Sequence, residues 1–188
     1  MKKTCMKIAA IATGAFLSAA VLAACQGGPG AVNSSSSTGN SSQVLPVANN
    51  PIQNNATANG LAITAAQVEN NVDPATSKAI PDCLQIQLKN TSNQTMSNLE
   101  IYYSMTDSKT GAREGYYQKL DGLSLAPGQT RTIFFDNGNS PGHYPENKYS
   151  IYRTSPNEVR FSIQVSAPGF KPAAARAIKG PGTGEQSD

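Results

Sequence analysis

The chain has 188 residues, of which 38% are hydrophobic and 14% charged, with no Trp, and its formal net charge is +3. Three of its positive residues, Lys2, Lys3 and Lys7, lie at the N-terminus, and without them 12 Lys and Arg residues balance 12 Asp and Glu residues. A chain body that is about neutral, with no basic cluster along its sequence, lacks the electrostatic footprint that a phosphate backbone requires, which argues against nucleic acid as a partner.

The first 24 residues have the layout of a secretory signal. Residues 1–7 carry the three lysines, residues 8–24 are uncharged, apolar and rich in Ala, and the small residues Ala23 and Ala24 close the stretch. The alternative is a permanent transmembrane helix. Such a helix needs about 20 strongly apolar residues, and this short run is diluted by Ala, Gly and Thr.

The end of this segment, Leu22-Ala23-Ala24-Cys25, resembles the lipobox of bacterial lipoproteins, in which a Cys follows two small residues and a Leu. The resemblance implies a diacylglyceryl group on the Cys25 sulfur, cleavage before Cys25, and possible acylation of the new N-terminus. Two or more acyl chains anchor a protein stably where one is marginal. We therefore expect an extracytoplasmic protein anchored to the cell membrane or the outer membrane. Gln26, where an Asp would imply inner-membrane retention, allows either.

Residues 25–60 are predicted to be the lipidated Cys and a disordered linker, because Gly, Ser, Asn and Gln dominate and no apolar period is present. As a flexible coil, residues 26–60 would span roughly 30 to 35 Å. The residues after 170 read as a disordered tail, 171–188. Once Cys5 leaves with the signal and Cys25 is lipidated, Cys83 has no disulfide partner, and its position at the start of an apolar strand predicts a buried, inert thiol.

Between residues 61 and 170 the hydrophobic period is two. Alternation is strict in three stretches, 84–89, 99–105 and 159–165, and turn sequences separate the apolar runs. We expect seven strands, near 61–68, 83–90, 98–106, 114–120, 130–135, 147–154 and 158–166. Seven short antiparallel strands in about 110 residues predict an all-β, immunoglobulin-like sandwich.

Two segments carry a family resemblance. Residues 88–101, from Leu88-Lys89-Asn90-Thr91-Ser92 to Leu99-Glu100-Ile101, together with Leu125-Ala126-Pro127-Gly128-Gln129-Thr130, resemble the pattern of small envelope immunoglobulin-like domains such as the FxLYD group. The resemblance implies a fold and no catalytic residues.

Catalytic constellations are not found in the sequence. The one imidazole, His143, lies in a loop and is expected to be solvated or to stabilise a turn. No zinc-protease, serine-hydrolase, phosphate-loop or paired-Cys motif is present. The run Asp136-Asn137-Gly138-Asn139-Ser140 has oxygen-rich side chains but lacks the spacing of a calcium loop, so a turn is expected. We expect no cofactor, no metal site and no enzyme.

Tyrosines are the most suggestive surface candidates, since outward rings stack on sugars or anchor a partner. Alternation places Tyr103 inward, Tyr102 outward, and one of Tyr116 and Tyr117 outward. The ordinary alternative is half-buried strand tyrosine. Two hypotheses follow. In the first, the domain is a non-enzymatic module that binds or supports an envelope component; in the second, Tyr102, Tyr116 and Tyr117 form a carbohydrate or peptidoglycan surface.

Overall fold

A computed structural model of the protein describes residues 44–68 and 83–182. The proposed signal, the lipobox residues Leu22, Ala23 and Ala24, and Cys25 lie outside the described residues. The described part has eight strands and one short helix, which run in the order β1 (Leu61–Val68), β2 (Leu84–Asn90), β3 (Glu100–Asp107), β4 (Arg113–Lys119), β5 (Thr130–Phe135), β6 (His143–Tyr144), α1 (Ile151–Thr154), β7 (Val159–Ser166) and β8 (Ala173–Lys179).

The strands form two four-stranded sheets. The first has the order β1-β2-β5-β6 and the second β4-β3-β7-β8. All pairings are antiparallel except the two-residue pairing of β6 with β5. One sheet contains β1, β2 and β5, and the other contains β3, β7 and β8, which is the immunoglobulin arrangement. Strand β4 is added beside β3. The prediction of an all-β, immunoglobulin-like sandwich is confirmed.

The core lies between the sheets because alternate residues of each strand point inward. In β2 the buried residues are Leu84, Ile86 and Leu88, which are at most 1% exposed. The rings of Tyr103 on β3 and Phe135 on β5 meet across the two layers at 5.5 Å between centroids. Cys83 is buried as expected, and its backbone N–H donates to the Tyr152 hydroxyl at 2.9 Å.

Six of the seven predicted strands match observed strands to within two residues at each end. The strand expected over 147–154 is wrong, because this segment forms a turn and the helix α1. The Asn147 side chain accepts the N–H of Tyr149 at 2.9 Å, and the Ser150 carbonyl accepts the N–H groups of Arg153 and Thr154. Side-chain to backbone bonds of this kind offer the chain an alternative to a sheet ladder.

The expected disordered tail, 171–188, is wrong over Ala173–Lys179, which forms β8. This strand pairs with β7 from Val165↔Ala173 to Val159↔Lys179. Ala and Lys have low β-propensity, so the local sequence does not reveal the strand. It forms because the edge of β7 that faces away from β3 would otherwise leave a row of unpaired backbone groups, and because β8 covers core surface with Ala177 and Lys179, both buried. Residues 183–188 lie outside the described residues.

Ending the chain at Phe170, where the sequence suggested the domain ends, should prevent stable folding. Removal of β8 exposes the edge of β7 and opens the core beside Val159 and Phe161, both at most 2% exposed. We expect the shortened chain to lose its cooperative thermal transition, followed by circular dichroism. A chain ending at Gly182 is the control and should unfold like the full chain. Equal transitions for both chains would show that β8 is dispensable.

Candidate functional site

The outward face of the second sheet brings together two of the three tyrosines that the sequence singled out. Tyr102 on β3 is directly opposite Tyr117 on β4 and Gln164 on β7. Both tyrosines are half-buried, and the Tyr117 hydroxyl donates to a carboxylate oxygen of Glu100 at 2.8 Å. Burial raises the Tyr117 pKa above its usual value, and the hydrogen bond to the Glu100 carboxylate raises it further. The two rings are therefore neighbours on one surface.

Tyr116 is not part of this surface. It pairs with Tyr103 in the β3–β4 register and points into the core, where it is 1% exposed and its ring stacks on Tyr103 at 5.5 Å. Its hydroxyl donates to Glu114 at 2.8 Å, and burial raises the Tyr116 pKa well above that of a free tyrosine. The expectation that Tyr116 belongs to a binding surface is wrong, because the side-chain period of two allows only one of two successive tyrosines to face outward.

Residues 44–60, expected to belong to the disordered linker, instead form a segment that lies across the same face. We call residues 44–60 the strap. The Val47 N–H donates to the Gly115 carbonyl on β4 at 2.7 Å, and the Asn50 side-chain amide donates to Gln164 on β7 at 2.9 Å. These contacts show that the strap runs from the β4 edge across β3 to β7.

Asn54 fixes the strap at the end of β7. Its side-chain nitrogen donates to the Ser166 hydroxyl and to the carbonyls of Ala167 and Phe170, at 2.9 to 3.0 Å. Its side-chain oxygen accepts the N–H of Ala56 at 2.9 Å, which makes a local turn. One amide therefore uses both its donor and acceptor atoms, so Asn54 links the strap to the sandwich.

Gly60 ends the strap where it enters β1. Its carbonyl accepts the N–H of Thr91 at 2.7 Å, while the Ala58 carbonyl accepts the N–H of Lys171. A Cβ atom at Gly60 would lie 2.7 Å from the ring of Phe170, closer than real Cβ contacts. Only glycine allows the strap to pass this close to the buried ring.

An open cleft of about 540 Å³ lies between strap residues 46–50 and the sheet. Its sheet wall is formed by Tyr102, Arg113, Glu114 and Gly115. A Cβ atom at Gly115 would lie 2.6 Å from the Tyr102 hydroxyl, so the glycine gives the Tyr102 ring room to lie over β4. The cleft presents an aromatic ring and the exposed Arg113 guanidinium. A carboxylate oxygen of Glu114 accepts hydrogen bonds from the Tyr116 hydroxyl and the Ile151 N–H. The cleft therefore offers an aromatic ring and a cationic group as contacts for a bound molecule.

His143 and Asp136 form a structural pair, as the turn interpretation implied. His143 Nδ1 lies 2.9 Å from the Asp136 carboxylate, and its ring stacks on Phe134 at 4.8 Å. Asp136 also accepts the N–H of Gly138 at 2.9 Å, and Asn137 has a φ of 57°, so residues 136–138 bend the chain. These contacts fix the short strand β6 beside β5.

A polar cluster at the end of β3 was missed by the sequence analysis. The carboxylate of Asp107 accepts hydrogen bonds from four donors, the N–H groups of Lys109 and Thr110 and the side chains of Ser155 and Asn157. These hydrogen bonds lower the Asp107 pKa well below its usual value, and the bond from Ser155 has the largest effect. The buried Lys179 ammonium donates to the Ser155 carbonyl and so connects β8 to the cluster. The cluster holds the chain turns at this end of the sandwich.

Residues 44–68 and 83–182 contain no helix that is long and apolar enough to cross a membrane. Within the same ranges, no group of three or more His, Cys, Asp or Glu side chains is placed to hold a metal ion.

The comparisons with known proteins identify no family. No family model matches the chain, and no curated protein matches it. Among solved structures, it is similar to β-glucuronidase 2 of Bacteroides uniformis (13% identity, TM-score 0.33, 64% of this chain and 13% of that chain). It is also similar to the alkylpurine DNA glycosylase AlkC of Pseudomonas fluorescens (18%, 0.28, 66% and 30%) and to β-glucosidase of Listeria innocua (12%, 0.31, 65% and 16%). At these TM-scores the likenesses carry no argument about function.

The strap makes a testable contribution to stability through Asn54. The change Asn54→Ala removes an amide nitrogen whose two hydrogens are shared among three acceptors, and it leaves the carbonyls of Ala167 and Phe170 without this donor. We expect the free energy of unfolding to fall by about 1–3 kcal/mol. Denaturant unfolding measures this. Asn49→Ala, an exposed strap residue, is the control and should change stability little. Equal stability of the two variants would show that Asn54 does not fix the strap.

Proposed function

We propose that the protein is a lipid-anchored component of a bacterial cell envelope, in which an immunoglobulin-like domain binds or supports another envelope component without catalysing a reaction. The observation that carries this proposal is the sequence Leu22-Ala23-Ala24-Cys25 at the end of an apolar leader with a basic start. Acyl chains on Cys25 supply the membrane anchor, since each buried methylene contributes about 0.8 kcal/mol.

The strap changes the expected distance between anchor and domain. Because residues from Val44 onward lie on the sandwich, the proposed spacer is residues 26–43 rather than 26–60. A flexible coil of about 18 residues has an r.m.s. span of roughly 21 to 25 Å. In this proposal the domain stays close to the membrane surface.

We also propose a relation to the FxLYD-type envelope domains, which is supported by the structural roles of the residues that resemble them. The buried Asn90 side chain donates to the carbonyls of Gln94 and Leu125 and accepts the N–H of Ser92, at 2.7 to 2.9 Å. Gly128, with a φ of 73°, turns the chain before β5. The Asn and the Pro-Gly of the pattern thus hold the β2–β3 turn against the loop before β5.

A non-enzymatic role is supported by the way in which the candidate catalytic groups are used. His143 is bonded to Asp136 and stacked on Phe134, and the Asp107 carboxylate is occupied by four donors within its own turn cluster. Glu114 is bonded to Tyr116 and to the N–H of Ile151. Each of these side chains already performs a structural task in the described part of the chain.

Lipidation is tested by expressing the full chain in a bacterium fed an alkyne-tagged palmitate. The wild-type chain should incorporate the tag and lose its leader, whereas Cys25→Ser should remain untagged and keep the leader, because the thiol is the acceptor. Cys5→Ser and Cys83→Ser are matched controls that remove the other two thiols and should behave like wild type. A tagged Cys25→Ser chain would overturn the anchor.

A second candidate function is recognition of an envelope glycan by the Tyr102–Tyr117 surface. The observation that favours it is that these rings are cross-strand partners beside a cleft lined by Arg113. Sugar rings pack on aromatic rings, and guanidinium groups bind carboxylates.

Glycan binding is tested by cosedimentation of residues 25–188, carrying Cys25→Ser, with purified peptidoglycan. Tyr102→Ala should weaken binding about five-fold through loss of ring contact. Tyr149→Ala is the control, because this tyrosine is 64% exposed and lies in the loop before α1. If the two changes have equal effects, the Tyr102–Tyr117 surface is not the glycan site.

A further inference from the structure

The second sheet brings together three arginines that are far apart in the sequence. Arg113 on β4 and Arg160 on β7 both pair with Thr106 on the central strand β3. Arg176 on β8 pairs with Ser162, two residues along β7 from Arg160. All three lie on the outward face and are exposed. We call the surface formed by Arg113, Thr106, Arg160, Ser162, Arg176 and Ile178 the arginine face.

Arg160 and Arg176 lie on the part of this sheet surface that the strap leaves open, and Arg113 lies at its border, where it also lines the cleft beside strap residues 46–50. The strap contacts Gly115, Gln164 and Ser166, which lie on a diagonal from the β4 edge to the end of β7. The arginines lie toward the opposite end of the sheet, beside the row of Thr106. The side chains between them are short, Ser104, Thr106 and Ser162, and the Arg113 guanidinium donates a long hydrogen bond of 3.5 Å to the Ser104 hydroxyl.

The charge of this surface is positive. Glu158 is an acidic neighbour on this surface and forms an ion pair with Arg160 at 2.7 Å. The Arg160 side chain nevertheless remains 66% exposed. The Asp107 carboxylate, at the end of β3, is 3% exposed and accepts its hydrogen bonds from the turn cluster. Arg113 shares the cleft wall with Glu114, whose carboxylate accepts hydrogen bonds from Tyr116 and Ile151, and Arg176 is opposite the neutral Ser162. Three arginines against the acidic side chains of Glu114 and Glu158 leave the surface with a net positive charge.

An exposed aliphatic side chain lies within the same surface. Ile178 pairs with Arg160 and is 57% exposed, one of three large hydrophobic residues with such exposure in the described ranges, with Leu45 and Tyr149. A single exposed aliphatic residue is ordinary. It shares one cross-strand row with two arginines, a combination of cations and an apolar side chain like that on amphipathic helices that lie in the membrane interface.

We propose that the arginine face docks on the anionic phospholipid headgroups of the membrane in which Cys25 is anchored. The proposal rests on the lipid anchor of the proposed function. A short tether gives the domain an effective concentration at the membrane in the millimolar range, so a weak surface is sufficient. Each arginine near an anionic surface raises partitioning about five-fold. The strap contacts the β4 edge of the same sheet through Val47 and Gly115, so the first described residues lie beside this face.

The test uses residues 25–188 with Cys25→Ser, so that no acyl chain contributes to binding. Sedimentation with vesicles of phosphatidylglycerol and phosphatidylcholine should bring down the protein at low salt, whereas vesicles of phosphatidylcholine alone should not, and salt should weaken binding. The double change Arg113→Gln/Arg176→Gln should lower partitioning about 25-fold. Lys89→Gln/Arg131→Gln removes the same charge from the other sheet and should leave partitioning nearly unchanged. Equal losses for the two double variants, or no binding to the anionic vesicles, would overturn the proposal.

The change Ile178→Ser tests whether the arginine face binds a lipid bilayer or any soluble polyanion. On an exposed strand position this change should leave the thermal transition unaltered while it reduces vesicle binding several-fold, because about 25 cal/mol is lost for each Å² of apolar surface no longer buried. Binding to dextran sulfate should not change. Vesicle binding that is insensitive to Ile178→Ser would identify a polyanion surface and overturn lipid docking. The palmitate labelling of Cys25 is independent of these results, so failure of the arginine face and failure of the anchor are distinguishable.

Discussion

The register between β3 and β7 decides which side chains of the second sheet face solvent. It pairs Tyr103 with Ile163 inside and Tyr102 with Gln164 outside. A slip of one residue would turn Tyr102 into the core and bring Ile101 to the surface. The buried ring of Tyr103, packed on Phe135 of the other sheet and on Tyr116, makes that slip costly. The strap, the cleft and the arginine face all depend on this one alignment.

The strap covers one part of the outward face of the second sheet, and the other part is exposed to solvent. The strap occupies the diagonal from Gly115 to Ser166, where hydroxyl, amide and carbonyl groups receive its polar atoms. The remaining surface carries the arginines, whose long charged side chains would lose hydration if a polar strap covered them. A sheet with one face on the core commonly leaves its other face wet. Here that wet face offers the two surfaces that our proposals use, the cleft beside Tyr102 and the arginine face.

Short polar side chains, rather than cross-links, hold the loops of the sandwich in place. Asn54 fixes the strap to the end of β7, Asn90 connects the β2–β3 turn to the loop before β5, and Asp107 joins two turns near β8. Each accepts backbone N–H groups in its own turn and makes another bond to a residue distant in the chain. Because each side chain serves local and long-range structure together, these residues tie loop conformation to the packing of the sandwich.

The sequence alone determined what depends on local period and local chemistry. Hydrophobic alternation, strict in three stretches, and the turn sequences between apolar runs predicted six of the observed strands and the sandwich. Alternation also placed Tyr102 outward and Tyr103 inward, since side chains of a strand alternate whatever their partners are. The lipobox resemblance is equally local, and it remains the basis of a proposal. The strap, β8 and the burial of Tyr116 were decided by tertiary structure. Ala173–Lys179 and residues 44–60 have weak intrinsic preferences and become ordered only because an already folded sheet offers them hydrogen-bond partners. The arginine face likewise arises from pairing between strands, which brings Arg113, Arg160 and Arg176 together although no sequence window contains them.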